Sequence, residues 1–390
     1  MEFKVTGQEL TLFPEGRISS TNAEQVGAEM ESILSQTPHE TVVLDVENLE
    51  YISSAGLRAI LKVRKKEASL KIINVIPDVY EVFEMTGFTE MMTIEKAYRR
   101  LSVDGCEVIG QGANGKVYRL DEETIIKVYL NPDCLPDIHR ERELARKAFV
   151  LGIPTAIPYD VVKVGDGYGS VFELLSAKSF AKLIASDPDN LDHYAELYVD
   201  LLKKIHSTEL KPGEIPDMKK TALRWADFLE PYLPADQYAK LHSLIEAVPE
   251  RNTMMHGDYH VKNVMMQNGE VLLIDMDTLC MGHPVFEIAS IFLSYYGYSE
   301  NNHAMLEEFY GIPYDLAQKL WKKTTQLYFG TEDEEKLNEY IDKAKIIGYT
   351  RNMRRVIRRN GFDTEAGRKD IETCKQHLAE LLAKVDSLDF

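Results

Sequence analysis

The chain has 390 residues, is 44% hydrophobic and 28% charged, and carries a formal net charge of -18. That length accommodates two or three domains, and the composition is that of a folded globular protein. It contains no run of about twenty apolar residues to span a bilayer, no basic-then-apolar leader, and too little clustered Lys and Arg for general binding to phosphate backbones. Neither a membrane nor a nucleic acid is an expected partner. Cys106, Cys134, Cys280 and Cys374 are scattered without metal-ligand spacing, so no disulfide framework is expected and a reducing cytoplasm is the expected setting. The acidic excess is compatible with a cationic substrate without requiring one.

The first hundred residues alternate strand and helix signals. Phe3 to Phe13 reads as two short strands broken at Gly7-Gln8. Thr21-Asn22-Ala23-Glu24 has the form of a capping box, and Val26, Met30, Ile33 and Leu34 follow at helical spacing. Thr41 to Val46 is a continuous run of the kind buried on both faces of a sheet. Ile52-Ser53-Ser54-Ala55-Gly56 predicts a turn that opens a helix on Leu57, Ile60 and Leu61. Leu70 to Ile76 reads as another strand. Pro77 then opens a helix buried through Val79, Val82 and Phe83 and ended by Gly87. Met91 to Ile94 predicts a last strand, and the alternation predicts a small α/β domain.

The run from Leu44 to Arg58, with Ile73-Asn74-Val75 leading to Met85-Thr86-Gly87-Phe88, resembles the STAS (anti-sigma-factor-antagonist) family. That resemblance implies a regulatory or protein-binding domain over residues 1–102. In the family, the loop before the second helix carries a regulatory phosphoserine just before a glycine. Here Ala55 holds that position. Ser54 and Ser53 lie behind it, either as phosphosites at a helix N-terminus or as simple helix caps.

Arg100 to Gly105 is the expected junction; it is short and not Gly/Ser-rich, so the domains are expected close together. Val108-Ile109-Gly110-Gln111-Gly112-Ala113-Asn114-Gly115-Lys116-Val117-Tyr118 follows. Its G-x-G-x-x-G spacing alone fits two folds, a dinucleotide-binding turn into a helix or a kinase glycine-rich loop. The continuation selects the second: strand, acidic turn at Asp121-Glu122-Glu123, then Thr124 to Tyr129 with Lys127 inside the strand. Gly110, Gly112, Gly115 and Val117 are the expected nucleotide-loop residues, because glycine lets the backbone approach phosphate. A helix over Ile138 to Val150 should supply the carboxylate that holds Lys127. Glu141 is the first choice by spacing and Glu143 the fallback. Gly169 to Leu175 reads as a strand entering a connector where the adenine edge meets backbone near Glu173. The stripe Tyr194, Leu197, Tyr198, Leu201, Leu202 and Ile205 reads as helix core.

His256-Gly257-Asp258-Tyr259-His260-Val261-Lys262-Asn263 places an acid and an amide in one loop. Val271-Leu272-Leu273-Ile274 then reads as a buried strand ending in Asp275 and Asp277. Phosphoryl transfer needs this inventory: one carboxylate for the attacking hydroxyl, and an amide oxygen with a second carboxylate for magnesium. In order, Gly112, Lys127, Glu141, Asp258, Asn263 and Asp275 resemble the aminoglycoside phosphotransferase and choline-kinase type, which shares the protein-kinase fold.

This second resemblance implies Asp258 as catalytic base, Asn263 and Asp275 as Mg2+ ligands, Asp277 as further polar support, and ATP or alternatively GTP as donor. His256 and His260 are expected to brace the loop. Gly282 to Ala289 is similar to the family's G-D-P-x-x-D-L-A segment, with His283 and Glu287 in place of its two aspartates. The basic run Arg351 to Arg359 is expected on the solvated face of a helix. From Glu300 onward the chain reads as mostly helical.

The expected architecture is α/β plus α+β: a STAS-like α/β domain over 1–102, then a bilobal kinase-like phosphotransferase domain over 103–390. Its small lobe would cover 103–175 and its helical lobe 176–390. The expected activity is transfer of the γ-phosphoryl group to a hydroxyl of a small molecule or protein. The alternatives are a nucleotide-sensing signalling protein in a partner-switching pathway and a kinase acting on its own STAS-loop serine.

Overall fold

The computed structural model describes residues 1–112, 115–131 and 133–390. Ala113 and Asn114 of the glycine-rich segment lie outside the described residues. Two compact units form: residues 1–102 with 161–165, and residues 103–160 with 166–390.

In the first unit the elements run β1 (Glu2–Thr6), β2 (Glu9–Phe13), β3 (Gly16–Ile18), α1 (Ala23–Gln36), β4 (Thr41–Asp45), β5 (Leu49–Ile52) and α2 (Ser54–Lys66). They continue as β6 (Lys71–Val75), α3 (Pro77–Met85), α4 (Phe88–Met91), β7 (Ile94–Lys96) and β8 (Arg99–Arg100). The main sheet has the order β1-β2-β4-β6-β7. β1 and β2 form an antiparallel hairpin, and the remaining neighbours are parallel. Leu10, Leu12, Val42, Leu44, Ile72 and Val75 are buried with Ile60, Val63, Val79 and Phe83 from the helices.

Two local expectations are corrected. The capping box does not form: Asn22, not Thr21, is the N-cap, and no side chain there bonds the helix. The Asn22 carboxamide instead accepts from Ser19 N at 2.8 Å and donates to Arg17 O at 2.8 Å, so it closes the preceding turn. The stretch after Gly87 is also different. Phe88–Met91 is a helical turn, because Phe88 packs into the core beside Phe83, and the last strand starts at Ile94.

In the second unit the small lobe contains β9 (Val108–Gln111), β10 (Gly115–Arg119), β11 (Thr124–Tyr129), α5 (Leu135–Val150), the start of β12 (Pro158–Val164), whose residues from Val161 belong to the first unit, and β13 (Gly167–Glu173). Strands β13-β11-β10-β9 lie in that order with antiparallel pairing. Gly110, Val117 and Lys127 are in register across three strands. Alternation puts Lys127 and Tyr129 on one face. Ile126, fully buried, takes the other face, where a Cβ on Gly169 would lie 2.7 Å from its Cδ1.

The large lobe follows with β14 (Lys178–Ser179), α6 (Phe180–Ser186), α7 (Leu191–His206), α8 (Met218–Leu229), α9 (Ala235–Glu246), β15 (Met254–Met255), β16 (Val264–Gln267), β17 (Glu270–Leu273) and β18 (Cys280–Met281). It closes with α10 (Val285–Phe292), α11 (Ala304–Tyr310), α12 (Tyr314–Phe329), α13 (Glu334–Arg358) and α14 (Glu365–Lys384). Its core is helical, and Tyr198, Tyr259, Tyr295, Phe292 and Tyr349 are among the largest fully buried side chains. Among the described residues, no helix is long and apolar enough to cross a membrane.

Candidate active site

The site starts at Lys127. Its ammonium donates to both Glu141 oxygens, at 2.9 and 3.1 Å, and to Asp275 Oδ1 at 3.0 Å. Burial alone would lower the Lys127 pKa, but Asp275 and Glu141 reverse this and hold it above its usual range. Of the two acids considered on α5, Glu141 is buried and meets the lysine, and Glu143 is exposed. Tyr129, two residues beyond Lys127 on the same face, donates to Glu141 Oε2 at 2.7 Å. This third contact was not anticipated; the Lys-x-Tyr spacing within a strand was the available signal. A cavity of about 390 Å³ opens beside Glu141 and is lined also by Tyr129, Arg140 and Asp277.

The glycines of the G-x-G-x-x-G segment differ in what demands them. A Cβ on Gly115 would lie 2.3 Å from Val128 O, so β-pairing itself requires that glycine. Gly110 has only ordinary contacts with Val117, and among the described residues nothing lies within 4 Å of a Cβ on Gly112. Gly112 N donates to Gly115 O at 3.0 Å. At the far end of β13, Glu173 N donates to Ile157 O and Leu174 N to Glu123 O.

The loop carrying Asp258 is held from several directions. Gly257 has φ +82°, and a Cβ there would lie 2.4 Å from Thr278 O, so no other residue fits. The fully buried Glu287 carboxylate accepts from His256 N at 2.5 Å and from Gly257 N at 3.0 and 3.1 Å. Burial works against charge on Glu287, but His206, His256 and the Gly257 N–H hold its pKa low. His256 Nε2 donates to Ile274 O at 3.0 Å, and its Nδ1 accepts from Asp258 N at 3.3 Å. Tyr259 OH donates to Tyr198 O, Tyr198 OH to Tyr259 O, and Val261 N to Tyr295 OH. The Tyr198 helix stripe is therefore core and loop support at once.

Asp258 itself is partly exposed. His260 Nε2 lies 3.4 Å from its Oδ2. Burial opposes ionisation, but His260, Arg351 and His256 outweigh it and bring the carboxyl down to about 2. The other His260 nitrogen, Nδ1, is buried without a hydrogen-bond partner. His283, the second replacement in the 282–289 segment, meets Asp389 Oδ1 at 3.1 Å.

The donor set fits a divalent cation. Asn263 Nδ2 donates to the Asp258 carbonyl at 3.0 Å, which orients the amide oxygen as the acceptor end. Asp275 takes a left-handed conformation (φ +66°, ψ 65°) directly after β17, and this turns its carboxylate toward Lys127. Burial and the Asp275 charge push the neighbouring Asp277 carboxyl up to about 7. Two adjacent acids that resist joint ionisation are the electrostatics a cation relieves. Among the described residues no cluster of three or more His, Cys, Asp or Glu that could hold a metal ion is found.

The basic run is not simply a solvated face. Arg351 donates to Gly257 O at 3.1 Å and to Ser290 Oγ at 2.9 Å, and stacks over Trp225. Arg354 and Arg355 are half-buried over Phe228 and Tyr298. Sequence spacing could place these residues on one helix face but not reveal that the face looks inward. In the first unit, Ser53 is the N-cap of α2 and accepts from Gly56 N at 3.3 Å, while Ser54 is exposed at the first helical position.

An antiparallel small-lobe sheet with a Lys–Glu pair, joined to a helical lobe that presents an HGD loop and an Asp-ended hairpin, defines a kinase-like phosphotransferase fold. The profile of the phosphotransferase enzyme family (APH) matches residues 105–319, and that of the STAS domain matches residues 1–101. The chain belongs to the phosphotransferase enzyme family and carries an N-terminal STAS domain.

It is 39% identical over 84 residues to BtrV of Bordetella bronchiseptica, described as an anti-sigma factor antagonist; the match covers 20% of this chain and 72% of BtrV. Among solved structures, aminoglycoside phosphotransferase APH(4)-Ia matches with 13% identity and a TM-score of 0.52, over 72% of this chain and 94% of that one. A ternary complex of a thermostable mutant of that enzyme with ADP and hygromycin B matches with 13% identity and a TM-score of 0.51, over 71% and 93%. At this identity the likeness shows the fold.

Proposed function

We propose that the protein is an ATP- and Mg2+-dependent phosphotransferase that acts on a hydroxyl group, with the STAS domain as its regulatory or protein-binding arm. GTP is the alternative donor. The observation that supports this reading is the convergence of Lys127, Glu141 and Asp275 within 3.1 Å, beside the loop that carries Asp258 and Asn263. Lys127, pinned by Glu141, reaches the nucleotide phosphates. Asn263 and Asp275 would hold Mg2+, which would supply charge neutralisation for the nucleotide phosphates.

Asp258 orients the acceptor hydroxyl in line with the γ-phosphorus. As the new P–O bond forms, the bond to the β–γ bridging oxygen breaks, the hydroxyl proton passes to Asp258, and ADP leaves. With a carboxyl at about 2, Asp258 is charged at neutral pH and is a weak base, so it takes the proton late, when the departing proton is acidic. Most of the acceleration then comes from positioning and electrostatics. Four free cysteines agree with a reducing cytoplasm as the setting.

A second reading is favoured by exposed Ser54: the acceptor is a STAS-loop serine of this chain or of another copy. Incubation with γ-labelled ATP and Mg2+, followed by intact-mass analysis, separates the two. Label on the chain that is lost in both Asp258→Asn and Ser54→Ala assigns the serine. ADP release from an unlabelled chain assigns a small acceptor or water. Neither label nor ADP, with nucleotide still bound, would replace the enzyme with a nucleotide sensor.

A further inference from the structure

One face of the helix that touches the Asp258 loop has a charge opposite to that of the chain as a whole. Helix α13 carries Arg351, Arg354, Arg355 and Arg358 at i, i+3, i+4 and i+7, which is one face. Arg351 touches Gly257, next to Asp258. From there the stripe runs about 10 Å along the helix.

Among the described residues none of these four arginines forms an ion pair with an Asp or Glu, although the chain has 63 acids against 45 bases. Aromatic rings support them instead, with Arg355 4.6 Å from the Tyr298 ring centroid and Arg354 5.7 Å from that of Phe228. Partial burial, then Arg358 and Arg224, lower the Arg354 pKa. Like charges are thus crowded on a partly desolvated face, where Asp370 near Arg355 and Asp258 near Arg351 are the counter-charges and neither forms an ion pair with them. Guanidinium groups in that state favour a planar or tetrahedral oxyanion bound bidentately, and they repel a polycation.

We propose that this arginine face binds the phosphoryl acceptor, and that the acceptor is a small hydroxyl compound bearing a phosphate or carboxylate. The proposal rests on the phosphotransferase reading for the reaction but not for the binding. A hydroxyl placed at Asp258 would direct the anionic end of such a molecule along the stripe that begins at Arg351. A cationic aminoglycoside would meet the wrong charge there, whatever the net charge of the chain suggests.

The test is calorimetric titration of the full chain, saturated with AMP-PNP and Mg2+ so that the nucleotide site is filled. The probes are glycerol 3-phosphate, 3-phosphoglycerate and fructose 1,6-bisphosphate against glycerol and fructose, with kanamycin and inorganic phosphate as controls. At least one organic anion should bind about tenfold or more tightly than its uncharged parent and than inorganic phosphate, and kanamycin should not bind. Arg354→Gln with Arg358→Gln should weaken that anion about tenfold while AMP-PNP affinity is kept; the Lys/Lys pair should restore most of it.

Arg358→Gln alone, at an exposed position, gives a variant whose folding is not at stake, and it should weaken the same anion measurably. Asp258→Asn should leave anion binding in place, so loss of turnover and loss of the anion site are read separately. The proposal is overturned if no organic anion outbinds its parent, if inorganic phosphate binds as tightly, if kanamycin binds better, or if the Gln variants bind the anion as wild type does.

Discussion

Glu287→Gln isolates what holds the Asp258 loop. The wild-type carboxylate is fully buried and accepts from the N–H groups of both His256 and Gly257. A hydrogen bond to a charged group contributes about 1.5–3 kcal/mol. Glutamine keeps the shape but offers a single oxygen, so one N–H stays bonded to a neutral acceptor and the other faces an NH2 group. The expected loss is about 2–4 kcal/mol, confined first to the loop. Read by hydrogen exchange of the segment 254–262, that is about 30- to 1,000-fold faster opening.

The pH dependence has a definite sign. The folded-state pKa of Glu287 is held low, so its contribution is present above the ordinary carboxylate value and is lost as pH falls through the folded value. That part of the acid sensitivity should vanish in the Gln variant. Unchanged exchange in 254–262 and an unchanged acid profile would refute the clamp.

Three other outcomes follow from the same geometry. Lys127→Met should abolish nucleotide binding and destabilise the second unit by about 3–5 kcal/mol, because Glu141 is left buried and unpaired; adding Glu141→Gln should recover stability in denaturant titrations but not binding. Gly257→Ala, strained at φ +82° and 2.4 Å from Thr278 O, should cost several kcal/mol, about 3 or more. Gly112→Ala, with no described residue within 4 Å of the added Cβ, should leave the melting temperature in place and weaken only nucleotide affinity. Ser53→Ala should lower STAS-domain stability by about 1 kcal/mol through loss of its cap, whereas Ser54→Ala should change stability by less than about 0.5 kcal/mol. Equal effects would mean that the cap has been assigned to the wrong serine.

Much of the fold was legible because the relevant signals are local. The continuous run at Thr41 to Val46, Pro77 at a helix start and the strand-turn-strand around Lys127 each predict their element from neighbouring residues, and each is found there. The capping box failed because Asn22 has a second set of partners, Ser19 N and Arg17 O, that only the folded turn supplies. The last strand begins at Ile94 and not at Met91 because the helical turn Phe88–Met91, with Phe88 beside Phe83, takes up the start of that stretch.

At the site, residue types and order brought Lys127, Glu141, Asp258, Asn263 and Asp275 to notice. Their supports were not visible in the same way. Glu287 reaches a loop 30 residues upstream, and Arg351 reaches it from 94 residues downstream. Tertiary contacts of that separation leave no periodic trace. The inward turn of Arg351, Arg354 and Arg355 also reverses the meaning of a basic run, from solvated helix face to a half-buried flank of the site.

The role of Asp258 is tested by ADP release from Mg2+-ATP by wild type and Asp258→Asn, with nucleotide affinity determined on both. Wild type should release ADP slowly with water as acceptor, and the variant should lose about 100-fold or more of that rate with an affinity nearly unchanged. Equal release by the two proteins, at equal affinity, would contradict that role.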